Sequence, residues 1–184
     1  MKKIFTRIFV ALAVLAGVSC TKLLDTDDLS SGDGEGYVDM GLSVKWRNRN
    51  AGAGCPQEKG DFYTYQDMKA KFDNIPTKEQ AEELIANCTV KRASLRGKPG
   101  VILTSKITNN TIFFPYGGLY NGEYVKGKDS YIWTITADTS GGWEGLAWFL
   151  YFSQVFYDKE YPDGVQYDVS TATVDLKLNV RQVK

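Results

Sequence analysis

The chain has no histidine among its 184 residues, and that narrows its chemistry at once. Serine–histidine and cysteine–histidine nucleophile pairs are excluded, as are the usual histidine-bearing zinc sites. Three thiols remain: Cys20, Cys55 and Cys88. Setting Cys20 aside, two cysteines cannot build a cysteine-rich metal site. Asp158, Glu160 and Asp163, in YDKEYPDG, form the most suggestive carboxylate group. They could supply oxygens to Ca²⁺ or act as an acid/base pair. Pro162-Asp163-Gly164 is also a simple turn sequence, and a solvated turn is the plainer reading. Tyr116, Tyr120 and Tyr124 lie in the Gly/Tyr stretch PYGGLYNGEY, with Trp143 further on. Such rings could stack on a sugar or a partner protein, or fold down as a lid on the core. No Gly-rich phosphate loop follows a strand and opens a helix, so nucleotide binding has no support. No catalytic residue, metal ligand or cofactor is expected.

The elements that would position these groups begin with Met1–Cys20. Lys2, Lys3 and Arg7 form a basic start, Ile8–Val18 is continuously apolar, and Gly17-Val18-Ser19 precedes Cys20. That is the order of a secretory signal, and the run is shorter than the roughly 20 residues needed to cross a bilayer. With its cysteine at the cleavage point it resembles a bacterial lipoprotein signal. The resemblance implies that residues 1–19 are removed and that Cys20 is acylated and tied to a membrane. Several acyl chains on one residue hold far more firmly than one. Residues 20–36 are acidic and rich in Gly and Ser, which reads as a flexible tether. Asp25, Asp27 and Asp28 resemble the export signal that sends some lipoproteins to the outer face of the cell.

Removal of the leader leaves about 165 residues, enough for one domain with a real core. The whole chain balances 22 basic against 22 acidic residues, and three of the basic ones lie in the leader. A mildly acidic mature domain does not suit nucleic acid, which calls for a basic patch. In an oxidising compartment Cys55 and Cys88 are either a disulfide or two free buried thiols. A bridge would close a loop of about 30 residues and contribute about 3–4 kcal/mol.

Residues 37–46 alternate around a glycine like a strand entering the core, and 60–65 resume an aromatic strand-like run. Thr77 with Gln80 forms a capping box after Pro76, and Ala81, Leu84, Ile85 and Cys88 keep helical spacing. This predicts one main helix over about 77–88, with Cys88 facing the core. Val101–Ile107 and Thr111–Phe114 flank Asn109-Asn110 as a hairpin. Ser130–Thr136 and Gly145–Tyr157 read as strands, the second apolar enough to be central. Val174, Leu176, Leu178 and Val180 alternate with polar residues as a half-buried strand.

Tyr37–Trp46 (YVDMGLSVKW), Asn50-Ala51-Gly52-Ala53, Pro56 and Gly60-Asp61-Phe62-Tyr63 together resemble the opening of the Fibrobacter succinogenes major paralogous domain. Ile75–Glu79 with Leu84 and Asn87-Cys88 resembles that family's helix. Ile112–Pro115, Tyr131-Ile132-Trp133, Ala147–Phe152 and Asn179-Val180-Arg181 resemble its later blocks, in order. The resemblance spans nearly the whole of residues 37–184. It implies an α+β, C-type-lectin-like fold related to formylglycine-generating enzymes, in which the last strand pairs near the first. Arg49 replaces the family's cysteine after the Trp, and the stretch before Pro76 is shortened. The catalytic cysteine pair of formylglycine-generating enzymes and the calcium motifs of sugar-binding lectins have no counterpart here.

These readings point to a non-catalytic, lipid-anchored module of the outer membrane, exposed at the cell surface. Its partners would be the membrane, through Cys20, and a glycan or protein ligand. The alternatives are a carboxylate-dependent glycan-active enzyme and a subunit of a surface assembly using a strand edge such as Tyr131–Thr136.

Overall fold

The computed structural model describes residues 22–121, 124–125, 127–140, 145–155 and 160–184. Strands β1 (Lys22–Leu24), β2 (Tyr37–Val38) and β3 (Trp46–Arg47) precede two short helices, α1 (Tyr65–Lys71) and α2 (Lys78–Ala86). There follow β4 (Cys88–Leu95), β5 (Lys98–Ser105), β6 (Thr111–Pro115), β7 (Leu119–Tyr120), β8 (Tyr124–Val125), β9 (Asp129–Asp138), β10 (Leu146–Gln154) and β11 (Val165–Thr173). The architecture is α+β and mostly sheet. One sheet has the order β1-β4-β5-β6 and another β11-β10-β9, with β2-β3 and β7-β8 as two-stranded ribbons.

The main core lies between the two larger sheets. Val90, Val101, Leu103, Ile112 and Phe114 from one meet Ile132, Leu150, Phe152, Val165 and Val169 from the other, with Ala81 and Leu84 of α2 joining them. The capping box forms as expected: Gln80 N donates to Thr77 Oγ1 while Thr77 N donates to the Gln80 side chain. The helix is shorter than its apolar spacing suggests. Asn87 caps it, and Cys88 reaches the core as the first residue of β4 rather than from a helical turn. The β5–β6 hairpin also forms, but β5 ends at Ser105, so its connection is the five residues 106–110 rather than Asn109-Asn110 alone, with Asn109 at φ 61°. β10 is central to its sheet, and a register shift between Ala147 and Phe149 bends it against β9.

Residues 22–36 depart from the slack tether expected of them. β1 adds to β4 in parallel, and Leu24 and Leu29 pack with Ala93, Leu95, Ile102 and Phe113 on the second face of that sheet. Ser30 and Asp28 are tied to Thr111 by three hydrogen bonds of 2.8–3.0 Å. Asp33 then pairs with Lys184 at 2.8 Å. The reason is that β5 and β6 are apolar on both faces, so the sheet needs a second cover. Leu24 and Leu29 provide it, while Leu23 between Lys22 and Leu24 faces solvent.

The C-terminal stretch is likewise not a regular strand. It runs through the molecule as isolated bridges: Lys177 with Tyr120, Leu178 with Tyr63, Asn179 with Ile132, and Val183 with Trp46. The last of these brings the ends of the domain together, as the resemblance implies. Asn179 also exchanges backbone hydrogen bonds with Tyr131 and Trp133, and Ile135 N donates to Pro76 O. The edge over Tyr131–Ile135, the one an assembly subunit would use, is therefore occupied by the chain itself.

Arg181 sits at the centre of this stretch, fully buried. Its Nε and Nη2 donate to Asn50 Oδ1 at 2.9 and 2.8 Å, and Nη1 donates to Phe113 O at 2.9 Å. The guanidinium lies 3.7 Å from the centre of the Phe114 ring. Burial pushes its pKa down to about 9, so it stays charged at neutral pH, held by carbonyl dipoles and a ring face.

Candidate functional site

Three stretches lie side by side on one flank of the molecule. Leu178 exchanges backbone hydrogen bonds of 2.9 and 3.0 Å with Tyr63, and Lys177 exchanges two of 2.9 Å with Tyr120. Residues opposite each other in such a pair project to the same face, and successive residues to opposite faces. Leu178 accordingly turns inward, 1% exposed, while Lys177 and Tyr120 turn outward. Above them opens a hollow of about 630 Å³, bordered by Lys59, Asp61, Phe62, Tyr63, Lys71, Tyr120 and Lys177.

Helix α1 positions one wall. Thr64 caps it by accepting from Asp67 N at 3.1 Å, and buried Tyr65 and Met68 anchor its inner face. Tyr65 donates to Ile135 O at 2.6 Å and meets Trp133 edge to face at 5.8 Å. Lys71, in the last turn, is thereby held over the hollow. Its ammonium donates to Tyr63 Oη at 3.1 Å, and Tyr63 donates onward to Asp61 Oδ2 at 3.2 Å. Contact with the Tyr63 hydroxyl raises the pKa of Lys71 above its usual value. Asn179 secures the base by donating to Asp61 O at 2.9 Å. Gly117 leaves room for it, because a Cβ there would come within 2.6 Å of Asn179 Oδ1.

Each lysine of the hollow stands over a ring. Lys59 lies 5.6 Å from the centre of Phe62, Lys71 lies 4.8 Å from Tyr63 and 5.6 Å from Phe72, and Lys177 lies 5.4 Å from Tyr120. Among the described residues the site offers ring faces, three cations and one carboxylate.

Of the rings expected to form a platform, Tyr120 lies in this hollow. Tyr116 does not; it packs against the main core, as a lid residue would. β8 pairs Tyr124 opposite Tyr120 through the backbone. The side chain of Tyr124 lies outside the described residues, as do Trp143, Asp158 and Cys20.

The bridge considered for Cys55 and Cys88 is not present; both are free thiols. Cys55 is half-buried in the Gly54–Glu58 loop, where burial and contact with Glu58 raise its pKa. Cys88 is 2% exposed in the core, and burial pushes its thiol up to about 11. Their distinct settings, one in a surface loop and one under a sheet, account for the separation. Neither has the lowered pKa of a reactive cysteine.

Glu160 and Asp163 border a second hollow, of about 580 Å³, together with Cys88, Lys91, Lys106 and Tyr167. Pro162-Asp163-Gly164 forms a turn, with Gly164 N donating to Tyr161 O at 2.9 Å and Gly164 at φ 66°. Among the described residues no three acidic or thiol side chains gather as metal ligands would.

Sequence reasoning missed the lysines. Lys59, Lys71 and Lys177 come from three segments far apart in the chain, and no local spacing connects them. The one available signal was the Thr64–Asp67 cap, which marks α1 and so places Lys71 at a helix end. No family model, no curated protein and no solved structure matches the chain.

Proposed function

We propose that the protein is a lipid-anchored, non-catalytic binding module, held at the outer membrane through Cys20 and facing outward. Its fold is a variant of the C-type-lectin-like architecture, a reading supported by the pairing of the C-terminal stretch with the first strands. Its ligand is a glycan or a glycan-bearing partner, bound at the Tyr120–Lys177 hollow. The observation that carries this reading is the hollow itself: ring faces and ammonium groups around a concavity of ligand size.

Two measurements test it. Mass spectrometry of the protein from its native membrane should find acyl chains on Cys20 as the mature N-terminus; an unmodified protein in the medium overturns the anchor. A glycan and protein array probed with the full protein in detergent should show binding that Tyr120→Leu abolishes. Binding unchanged in that variant overturns the site.

A further inference from the structure

The first described residues fix how the domain meets its membrane, an inference that rests on the anchoring through Cys20 proposed above. A free coil over residues 20–36 would separate its ends by about 20–25 Å, leaving the domain to swing on a leash. The structure takes most of that length away. β1 is laid along β4 from its first residue, with Lys22 opposite Ala93 and Leu24 opposite Leu95. Leu24 is 3% exposed, and Arg96 N donates to Leu24 O at 3.5 Å. Downstream, Thr111 holds Asp28 and Ser30, so the segment is fastened at both ends. Cys20 lies outside the described residues. Chain length alone bounds its distance: two Cα steps separate it from Lys22, at most about 7 Å.

Leu23 adds a direction. Successive strand residues project to opposite faces, so burying Leu24 turns Leu23 outward. Leu23 is 75% exposed, the most of any large apolar side chain among the described residues. A single exposed leucine is ordinary on a protein surface. Three residues from an acylated cysteine, however, it has an apolar phase within reach, and a leucine gains by entering the boundary between headgroups and acyl chains.

We propose that the β1 edge of the four-stranded sheet rests on the lipid surface, with Leu23 set into the headgroup region beside the acyl chains of Cys20. The occupant of this edge is a bilayer rather than a second protein, because so short a link leaves no room for a domain-sized partner between β1 and lipid. The domain is seated on its membrane, not suspended above it.

The test uses the acylated full protein in vesicles of phosphatidylethanolamine and phosphatidylglycerol, with acylation confirmed by mass spectrometry. An unmodified Cys20 defeats the anchoring reading itself. Leu23→Cys in a Cys55→Ser background takes a nitrobenzoxadiazole label, Cys20 being blocked by its acyl chain and Cys88 buried. The comparison is a variant with about twelve glycine and serine residues inserted between Thr21 and Lys22, which span about 20 Å. Lipid spin-labelled near its headgroup should quench the label at least about threefold more strongly without the insertion than with it. Neutron reflectometry on a supported bilayer of the same lipids should find the unlabelled domain against the headgroups, and a water layer beneath it in the insertion variant. Both proteins should melt at the same temperature, since the insertion precedes β1. Equal separation from the bilayer in both, whether zero or finite, overturns the seating by β1 while leaving the anchor in place. A seated domain with an unquenched label overturns the placement of Leu23.

Discussion

Arg181 and Lys177 lie four residues apart, and each holds a cation over an aromatic ring. Arg181 is fully buried, 3.7 Å from Phe114, and three hydrogen bonds to uncharged oxygens complete its shell. Lys177 stands 5.4 Å from Tyr120 at the rim of an open hollow. The same interaction serves opposite ends. In the dry site every donor that Asn50 and Phe113 can reach is used, so the guanidinium fastens β6, the Asn50 loop and the C-terminal stretch together. In the wet site the ring orients an ammonium that water still reaches, and water is readily exchanged for a ligand. A cation over a ring is therefore locked into the core or left open to exchange according to solvent access.

The largest expected effect is on the dry side. Arg181→Ala leaves Asn50 Oδ1 and Phe113 O without their buried donor and opens a cavity, which should cost about 3–5 kcal/mol in urea unfolding. Lys177→Ala should change stability by less than about 0.5 kcal/mol. Similar losses for both would erase the distinction. Replacing the rings should divide the same way, with a smaller effect. Phe114→Leu should cost about 2 kcal/mol through lost packing and lost stabilisation of the guanidinium. Tyr120→Leu should leave unfolding nearly unchanged and remove ligand binding.

Alkaline pH sharpens the contrast through opposite signs. Arg181 has a folded pKa of about 9, below its usual 12.5, so the unfolded chain holds more protons above pH 9. Its contribution to stability therefore rises with pH across that window. Lys71 has a folded pKa above 10.5, so the unfolded chain releases its proton first. Its contribution is present below about pH 10.5 and is lost as pH climbs through the folded value. Unfolding measured from pH 8 to 11 should show the rise missing in Arg181→Met and the fall missing in Lys71→Gln. The smallest effect is that of salt. Raising NaCl from 0.1 to 1 M should leave the stability difference between wild type and Arg181→Ala constant, because the buried guanidinium is not screened.

The parts of this arrangement that the sequence announces are those fixed by neighbours in the chain. Thr77 and Gln80 specify the start of α2 because both halves of a capping box lie within one turn. The apolar run of β10 marks a central strand for similar reasons. Other elements depend on contacts that no local pattern records. α1 is only seven residues long and follows an aromatic run that reads equally well as strand. β4 carries Lys91 and Arg92 in its middle, which hides its buried positions. β11 buries Val165 and Val169, four residues apart, so its spacing looks helical. Leu24 and Leu29 sit in polar surroundings and gain meaning only when Ile102 and Phe113 need covering. The hollow follows this rule: Tyr120 was recognisable as an aromatic in a glycine-rich loop, whereas its lysines meet only through tertiary structure. Arg181 reads as a surface residue in an alternating strand until Asn50, 131 positions earlier, is seen to receive it.

The strip at 177–183 also governs when the molecule can take shape. A ribosome delivers residues in order, so positions 37–176 all emerge before the strip that fastens Tyr63, Tyr120, Ile132 and Trp46. Until it arrives, Phe113 and Asn50 lack their shared donor and the inner edge of β9 lies open. The strip at 177–183 is therefore the last of these contacting segments to become available as the chain emerges.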